Sequence, residues 1–247
     1  MWNWFYQLAS PKWFYEISAR LIPWFSGIML ILFVVGLVLG LLMSPADYQQ
    51  GNTVRIMYIH VPAAYLSMMA YMVMAITGAI GLVWKIKMAH IVSVSCASIG
   101  AMFTALALLT GAIWGRPTWG TYWIWDARLT SELILLFLYL GFIALHNAFE
   151  DKRTADKASA ILALVGVVNI PIIHFSVEWW NTLHQGATLS KFEKPSMDIE
   201  MLWPLLIMIF AFKFYFFLTL TLKVRAEILL REKQANWVKK LVEQTGR

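Results

Sequence analysis

Six unbroken apolar runs constrain this chain more than any other feature in it. They cover about residues 24–43, 61–84, 91–113, 130–149, 158–177 and 202–222. Each is near the roughly 20 residues that an α-helix needs to cross a bilayer. Inside hydrocarbon every backbone polar group must be satisfied within its own segment, so an isolated run of this kind crosses only as a helix. The chain is 60% hydrophobic and 14% charged, against about a quarter charged residues in soluble domains. The expected fold is therefore an all-α polytopic membrane protein, one membrane domain over residues 1–247 with six transmembrane helices.

The start does not have the form of a cleavable signal peptide. Trp2, Trp4, Phe5 and Tyr6 stand where a basic segment belongs, the first run is as long as a span, and no A-x-A site follows it. Residues 1–22 are expected as an interfacial amphipathic helix, because Trp13, Ile17 and Leu21 recur every four residues. Trp24, Trp84 and Trp203 mark ends of runs, as tryptophans do at the membrane surface. Gly36-x-x-x-Gly40 and Gly111-x-x-x-Gly115 allow close approach of helices.

Basic residues set the orientation. Fourteen of them, including Lys85, Lys87, Lys152, Arg153 and the cluster after Lys223, fall on one side of the runs. Five fall on the other: Arg55, Arg116, Arg128, Lys191 and Lys194. The positive-inside rule then places both termini in the cytoplasm and three loops outside, about 44–60, 114–129 and 178–201. The net charge of +6 is thus explained without nucleic acid. The cytoplasmic tail, 223–247, mixes basic residues with Ile228, Leu229, Trp237 and Leu241. It reads as a surface helix, as a helix that docks a partner, or as a frayed end.

Several chemistries are set aside. Cys96 is the only cysteine, so no internal disulfide forms and no C-x-x-C-H attaches haem covalently. No G-x-x-x-x-G-K-[ST] loop is present for ATP. No catalytic motif is found, so the chain is not expected to be an enzyme.

The second outer loop, 114–130, is the most unusual stretch: WGRPTWGTYWIWDARLT. Trp114, Trp119, Trp123 and Trp125 lie within twelve residues, and Trp179 and Trp180 stand in the next outer loop. Interfacial aromatic belts usually supply one or two rings per helix end. Flat indoles interleaved with glycine and arginine suit a large, planar, partly anionic ligand, since aromatic rings bury much apolar area.

Five histidines are present. His90 and His146 fall near the cytoplasmic ends of their runs, and His174 near the outer end of the fifth. His60 opens the second run just before Pro62, and His184 lies in the third outer loop. His60 and His184 thus flank the tryptophan stretch on one side of the membrane. Imidazole suits iron, copper and zinc, and two histidines from separate segments can approach a planar metal complex from opposite faces. His174 competes with them.

Arg55, Arg116 and Arg128 are candidate partners for carboxylates, which the guanidinium fork matches in two-point fashion. Asp126 reads equally as a helix N-cap, as a partner of Arg128 or Arg55, or as an acceptor that orients a ligating histidine. Glu132 and Glu178 sit at outer ends of runs without an evident partner.

The pattern Trp119-Gly120-x-x-Trp123-x-Trp125-Asp126-x-Arg128-Leu129-Thr130 resembles the signature of the tryptophan-rich (WWD) haem-handling proteins of cytochrome c biogenesis. With six spans, a short chain and flanking histidines, the resemblance is to the haem exporter protein C (CcmC) family in particular, over nearly the whole chain. Members hold non-covalent haem b, iron protoporphyrin IX, at the periplasmic face of the bacterial inner membrane. The resemblance implies that the tryptophan-rich loop is the haem platform, and that the two axial ligands map onto His60 and His184. It also implies partners: the haem chaperone CcmE, an ABC transporter ATPase and second membrane subunit (CcmA, CcmB), and the small single-span protein CcmD. With that resemblance the expected haem site is Trp114, Trp119, Trp123, Trp125, Asp126, Arg55 and Arg128 around His60 and His184.

Two other functions compete. A membrane-embedded b-type cytochrome needs histidine pairs deep in its spans, whereas His60 and His184 lie at the boundary. A plain transporter permease subunit needs a polar pathway, and ionisable residues within the runs are few, mainly Lys213.

Overall fold

The computed structural model describes residue 7, residues 9–186 and residues 197–245. Trp2, Trp4, Phe5 and Tyr6, which count against a signal peptide, and Lys191, Lys194 and Arg247, which enter the charge count, lie outside the described residues. The chain is 83% helical without strands among the described residues. Six helical segments are long and apolar enough to cross a membrane, which makes this a multi-pass membrane protein.

Helix α1 is Pro11–Leu37, capped by Ser10 and started by proline in its first turn. It runs unbroken through Pro23, so the described part of the expected interfacial segment and the first span form one helix. Phe14, Tyr15 and Ser18 turn inward, while Ile17 and Leu21 stay exposed. The helix ends in a π-turn over Val38–Met43. Gly36 and Gly40 then do what their spacing suggests. A Cβ at Gly36 would meet Met208, and one at Gly40 would meet the Tyr58 ring at 2.8 Å.

A 3-10 turn, Asn52–Ile56, leads directly into helix α2, Met57–Trp84. The helix therefore begins four residues earlier than the apolar run. His60 lies one turn inside it, and its direction is fixed by helical geometry. Helix α3 is Lys87–Trp119, reached through Lys85 in the left-handed region, and it packs along α2. Helix α4 is Ala127–Asn147. The fifth span consists of two pieces, α5 (Lys152–Gly166) and α6 (Asn169–Trp179). Pro171 explains the break, because its ring has no N–H and collides with the carbonyl four residues back. Asn169 bridges the gap by donating to the Ser131 carbonyl at 2.9 Å. Helix α7 is Ile199–Arg231 and α8 is Asn236–Thr245.

The bundle centre is built where small residues let large ones in. Tyr139 lies against Gly100 of α3 and donates to the Ser67 carbonyl at 2.8 Å. Tyr71 lies against Gly166. Such contacts replace the hydrophobic drive that lipid removes.

The two ends differ. At the end formed by the start of α5 and the ends of α4 and α7, Arg231 makes two hydrogen bonds to Asp156, at 2.6 and 2.9 Å. His146 adds a third contact to Asp156 at 3.1 Å. The tail is ordered here as helix: Trp237 lies 5.6 Å from Tyr15, Val238 is buried, and Arg225 covers the Tyr15 ring. Opposite, the ends of α3 and α6 and the starts of α2 and α4 surround an open cavity.

Candidate functional site

The cavity is open to its surroundings, and its empty space, open solvent included, is about 800 Å³. Its walls are mostly apolar and include Trp114, Trp119, Trp123, Met68 and Ile173. His60, His184, Arg128, Glu132, Gln50 and Gln185 supply its polar groups.

Each wall follows from local sequence. Helix α3 does not stop at Ile113 but continues through Pro117 to Trp119, so the first third of the tryptophan stretch is helical rather than loop. Gly120 ends it at φ 79°, a left-handed conformation that glycine adopts without a side-chain clash. Gly115 makes room for the Trp119 ring. Trp114 is held from the first outer loop: its Nε1 donates to Gln50 Oε1 at 2.7 Å. Asp47 in turn fixes Gln50 by accepting from the backbone N–H groups of residues 49 and 50. Asp126 accepts from the Leu129 N–H at 2.8 Å and caps α4. That fixes where Arg128 and Glu132 emerge, one and two turns into the helix.

The two histidines meet across the cavity with ring centres 6.4 Å apart and planes inclined at 34°. His60 directs Nδ1 to the Ala107 carbonyl at 3.0 Å and to Thr110 Oγ1 at 3.1 Å. Thr110 spends its own proton on the Leu106 carbonyl at 2.7 Å, so it accepts from His60. Gly111, next along α3, leaves 3.0 Å between a hypothetical Cβ and the His60 ring. His184 directs Nδ1 to the Gln185 carbonyl at 3.1 Å. Both rings thus carry their proton on Nδ1, facing a carbonyl, and leave Nε2 with its lone pair. Burial, with the Arg128 charge nearby, lowers the proton affinity of His184 below the ordinary histidine value. It is neutral at neutral pH, the form that binds metals. Trp114 and Trp119 flank the pair at 5.7 Å from His60 and 6.1 Å from His184.

Of the residues singled out in the sequence, His60, His184, Trp114, Trp119, Trp123 and Arg128 converge on this cavity. Trp125, Asp126 and Arg55 are not among its lining residues. Trp125 is 77% exposed and packs edge-on against Trp123. Arg55 turns toward the end of α1, where it donates to the carbonyls of Leu41 and Ser44 at 2.9 and 2.8 Å. A helix C-terminus leaves its last carbonyls without partners, and Arg55 fills that need. His174 is exposed on the face of α6 opposite the buried Ile173. The cavity also enlists residues whose roles the sequence reading missed. Gln50 and Gln185 carry no recognisable signal. Glu132 finds its partner in Ser67, whose hydroxyl donates at 2.7 Å from α2. Trp123 Nε1 and Asp126 Oδ2 are buried without a hydrogen-bond partner.

Comparison with known proteins gives this arrangement a lineage. The family described as Heme exporter protein C matches residues 4–239. The chain belongs to that family. It is 54% identical to Heme exporter protein C of Haemophilus influenzae over 98% of this chain and 99% of the relative. It is 51% identical to Heme exporter protein C of Escherichia coli K12 over the full length of both. A ccmC-like mitochondrial cytochrome c biosynthesis protein of Marchantia polymorpha is 43% identical over 81% of this chain and 85% of its own length.

Proposed function

We propose that this chain is a haem-handling subunit of cytochrome c maturation. It holds haem b non-covalently in the cavity between His60 and His184 and presents it to a periplasmic haem chaperone of the CcmE kind. The observation that carries the reading is the spacing of the two imidazoles. A first-row metal–imidazole bond is about 2 Å, and a ring centre lies roughly 1 Å behind its nitrogen. Rings on opposite sides of one metal therefore have centres roughly 6 Å apart, and these are at 6.4 Å. Both have Nε2 free, as axial ligation requires.

The residues present fit the group. Bound haem supplies an iron that accepts two imidazoles and a planar apolar ring with two carboxylates. His60 and His184 provide the nitrogens. Trp114, Trp119 and Trp123 provide flat apolar walls. Arg128 commits one N–H to the Ile173 carbonyl at 3.0 Å and keeps further donors for a propionate. Trp123 Nε1, a buried donor without an acceptor, gains one from the same source. Trp125, exposed at the rim, is placed to meet an incoming chaperone instead of the haem interior.

The two ligands are held unequally. His60 rides on a helix and is anchored at two points on α3. His184 lies beyond the end of α6; among the described residues its ring hydrogen-bonds only to the adjacent Gln185 carbonyl, while its backbone N–H donates to Thr182 Oγ1. Handing over haem requires a ligand to let go, and His184 is the one built to do so. The family relationship and the open end of the cavity support a membrane assembly with an ABC ATPase, its membrane subunit and a single-span protein (CcmA, CcmB, CcmD). The basic-residue bias supports the inner membrane with the cavity facing the periplasm.

The test is spectroscopic. Purified chain should carry six-coordinate, low-spin haem. The His60→Ala, His184→Ala double variant should lose that spectrum, and His184→Ala alone should be partly restored by added imidazole. An unchanged spectrum in the double variant would sink the assignment.

A further inference from the structure

Lys213 is the only lysine or arginine within the six apolar runs, and the haem site does not use it. It stands ten residues after Trp203 and ten before Lys223, which mark the two ends of the last run. At about 1.5 Å per helical residue that is roughly 15 Å from either boundary, farther than a four-carbon stem can carry an ammonium to water. Its Nζ lies 5.0 Å from the Tyr65 ring centre and 5.3 Å from that of Phe210. Those ring faces attract the charge without neutralising it. No carboxylate pairs with Lys213 among the described residues.

The side chain does not point into the bundle. Lys213 is partly exposed, Tyr65 is 41% exposed and Phe210 52%. Met72 and Ile76 follow Tyr65 on the same side of α2, and Phe217 follows Phe210 on α7; all three are exposed. The result is a broad aromatic and aliphatic face at mid-bilayer depth with one cation at its centre. Ionisable groups at that depth face a partner or a polar cavity, because hydrocarbon offers no counter-charge.

We propose that this face of α2 and α7, around Lys213, docks a transmembrane helix of a different membrane subunit, one carrying an aspartate or glutamate at mid-bilayer depth. A lipid headgroup does not reach the midplane, and neither does a soluble protein. A second copy of this chain has nothing to offer. The only carboxylate within its apolar runs is Glu132, which is 8% exposed and lines the cavity. The proposal stands apart from the haem reading, since it uses neither histidine nor any cavity residue.

The experiment uses the full chain in native membranes, treated with a membrane-permeant carbodiimide. This reagent activates a carboxyl group. The Lys213 amine attacks it, an amide forms, and the reagent leaves as the urea. Peptide mapping by mass spectrometry should then find Lys213 joined to an Asp or Glu inside an apolar segment of another membrane chain. Lys213→Met, which keeps length and removes the charge, should reduce co-purification of that chain by about tenfold or more, as losing one member of a buried charge pair does. Lys213→Arg should restore it. Recovery of Lys213 free of any cross-link, a cross-link to a second copy of this chain, or undiminished co-purification with Lys213→Met would each overturn the proposal.

Discussion

At the proposed site the grip on haem iron would be set by the atoms behind the two imidazoles. Thr110 Oγ1 stands 3.1 Å from His60 Nδ1 and shares that proton with the Ala107 carbonyl. Acceptors behind a ligating imidazole fix its tautomer and raise its basicity. Thr110→Val removes one of the two. The expected outcome is a haem affinity lowered by up to about tenfold, the worth of one net hydrogen bond, and a raised reduction potential, because a less basic imidazole supports ferric iron less well. Haem titration and potentiometry of the purified variant check both. An unchanged potential would mean that Ala107 alone orients the ring. His60 and His184 were legible in the sequence, because counting spans put them beside the tryptophans. Thr110 was not. It lies 50 residues from His60, inside an apolar run, and nothing in the run shows which of its hydroxyls faces another helix. Gln50 was hidden for the same reason, since its role depends on Trp114, 64 residues away.

Elements were legible as apolar runs, and their ends were not. Helix α3 overshoots its run to Trp119, where the Gly120 N–H closes it on the Arg116 carbonyl, and α2 begins before its own as a continuation of the 3-10 turn Asn52–Ile56, so neither end follows hydrophobicity. The same logic moves Arg55 from the ligand to the fold. Its guanidinium holds the Leu41 and Ser44 carbonyls where the π-turn leaves α1, and Tyr58 meets Ser44 Oγ at 2.5 Å beside it. Arg55→Ala should cost about 1.5–3 kcal/mol, as losing hydrogen bonds to a charged group does. The thermal midpoint in detergent should fall, while the folded fraction keeps its haem spectrum. Arg128→Ala should do the reverse, weakening haem retention with a smaller loss of stability. Arg55→Ala protein that unfolds normally but cannot hold haem would restore Arg55 to the propionates. The break between α5 and α6 interrupts a run read as continuous over 158–177, although Pro171 stands in it. Its consequence, a polar bridge from Asn169 to Ser131, needed a neighbouring helix that sequence alone does not place.

At the scale of the whole molecule the two ends do opposite work, and charge decides which end faces the cytoplasm. Among the described residues, thirteen basic side chains lie toward the end closed by Asp156 and Arg231, and three, Arg55, Arg116 and Arg128, toward the cavity. Those three all donate to backbone carbonyls, and at the closed end Lys87, Arg225 and Arg231 are likewise held by partners. Lysine and arginine in short connections are the residues that resist translocation, and the connections at the closed end are short. On this ground we propose that the cavity end is the translocated one, where a periplasmic chaperone of the proposed kind would reach it. Reporter fusions placed within residues 121–126 and 181–186 should be active only as exported enzymes, and fusions at residue 150 and after the last helix only as cytoplasmic ones. Substituting Lys85, Lys87, Lys152 and Arg153 together by glutamine should erode this preference, giving mixed orientation in the same fusions. A chain whose 121–126 fusion reports from the cytoplasm would hold its histidine pair on the wrong side of the membrane for delivery to a periplasmic acceptor, and the proposed direction of transfer would be lost even if the cavity binds haem.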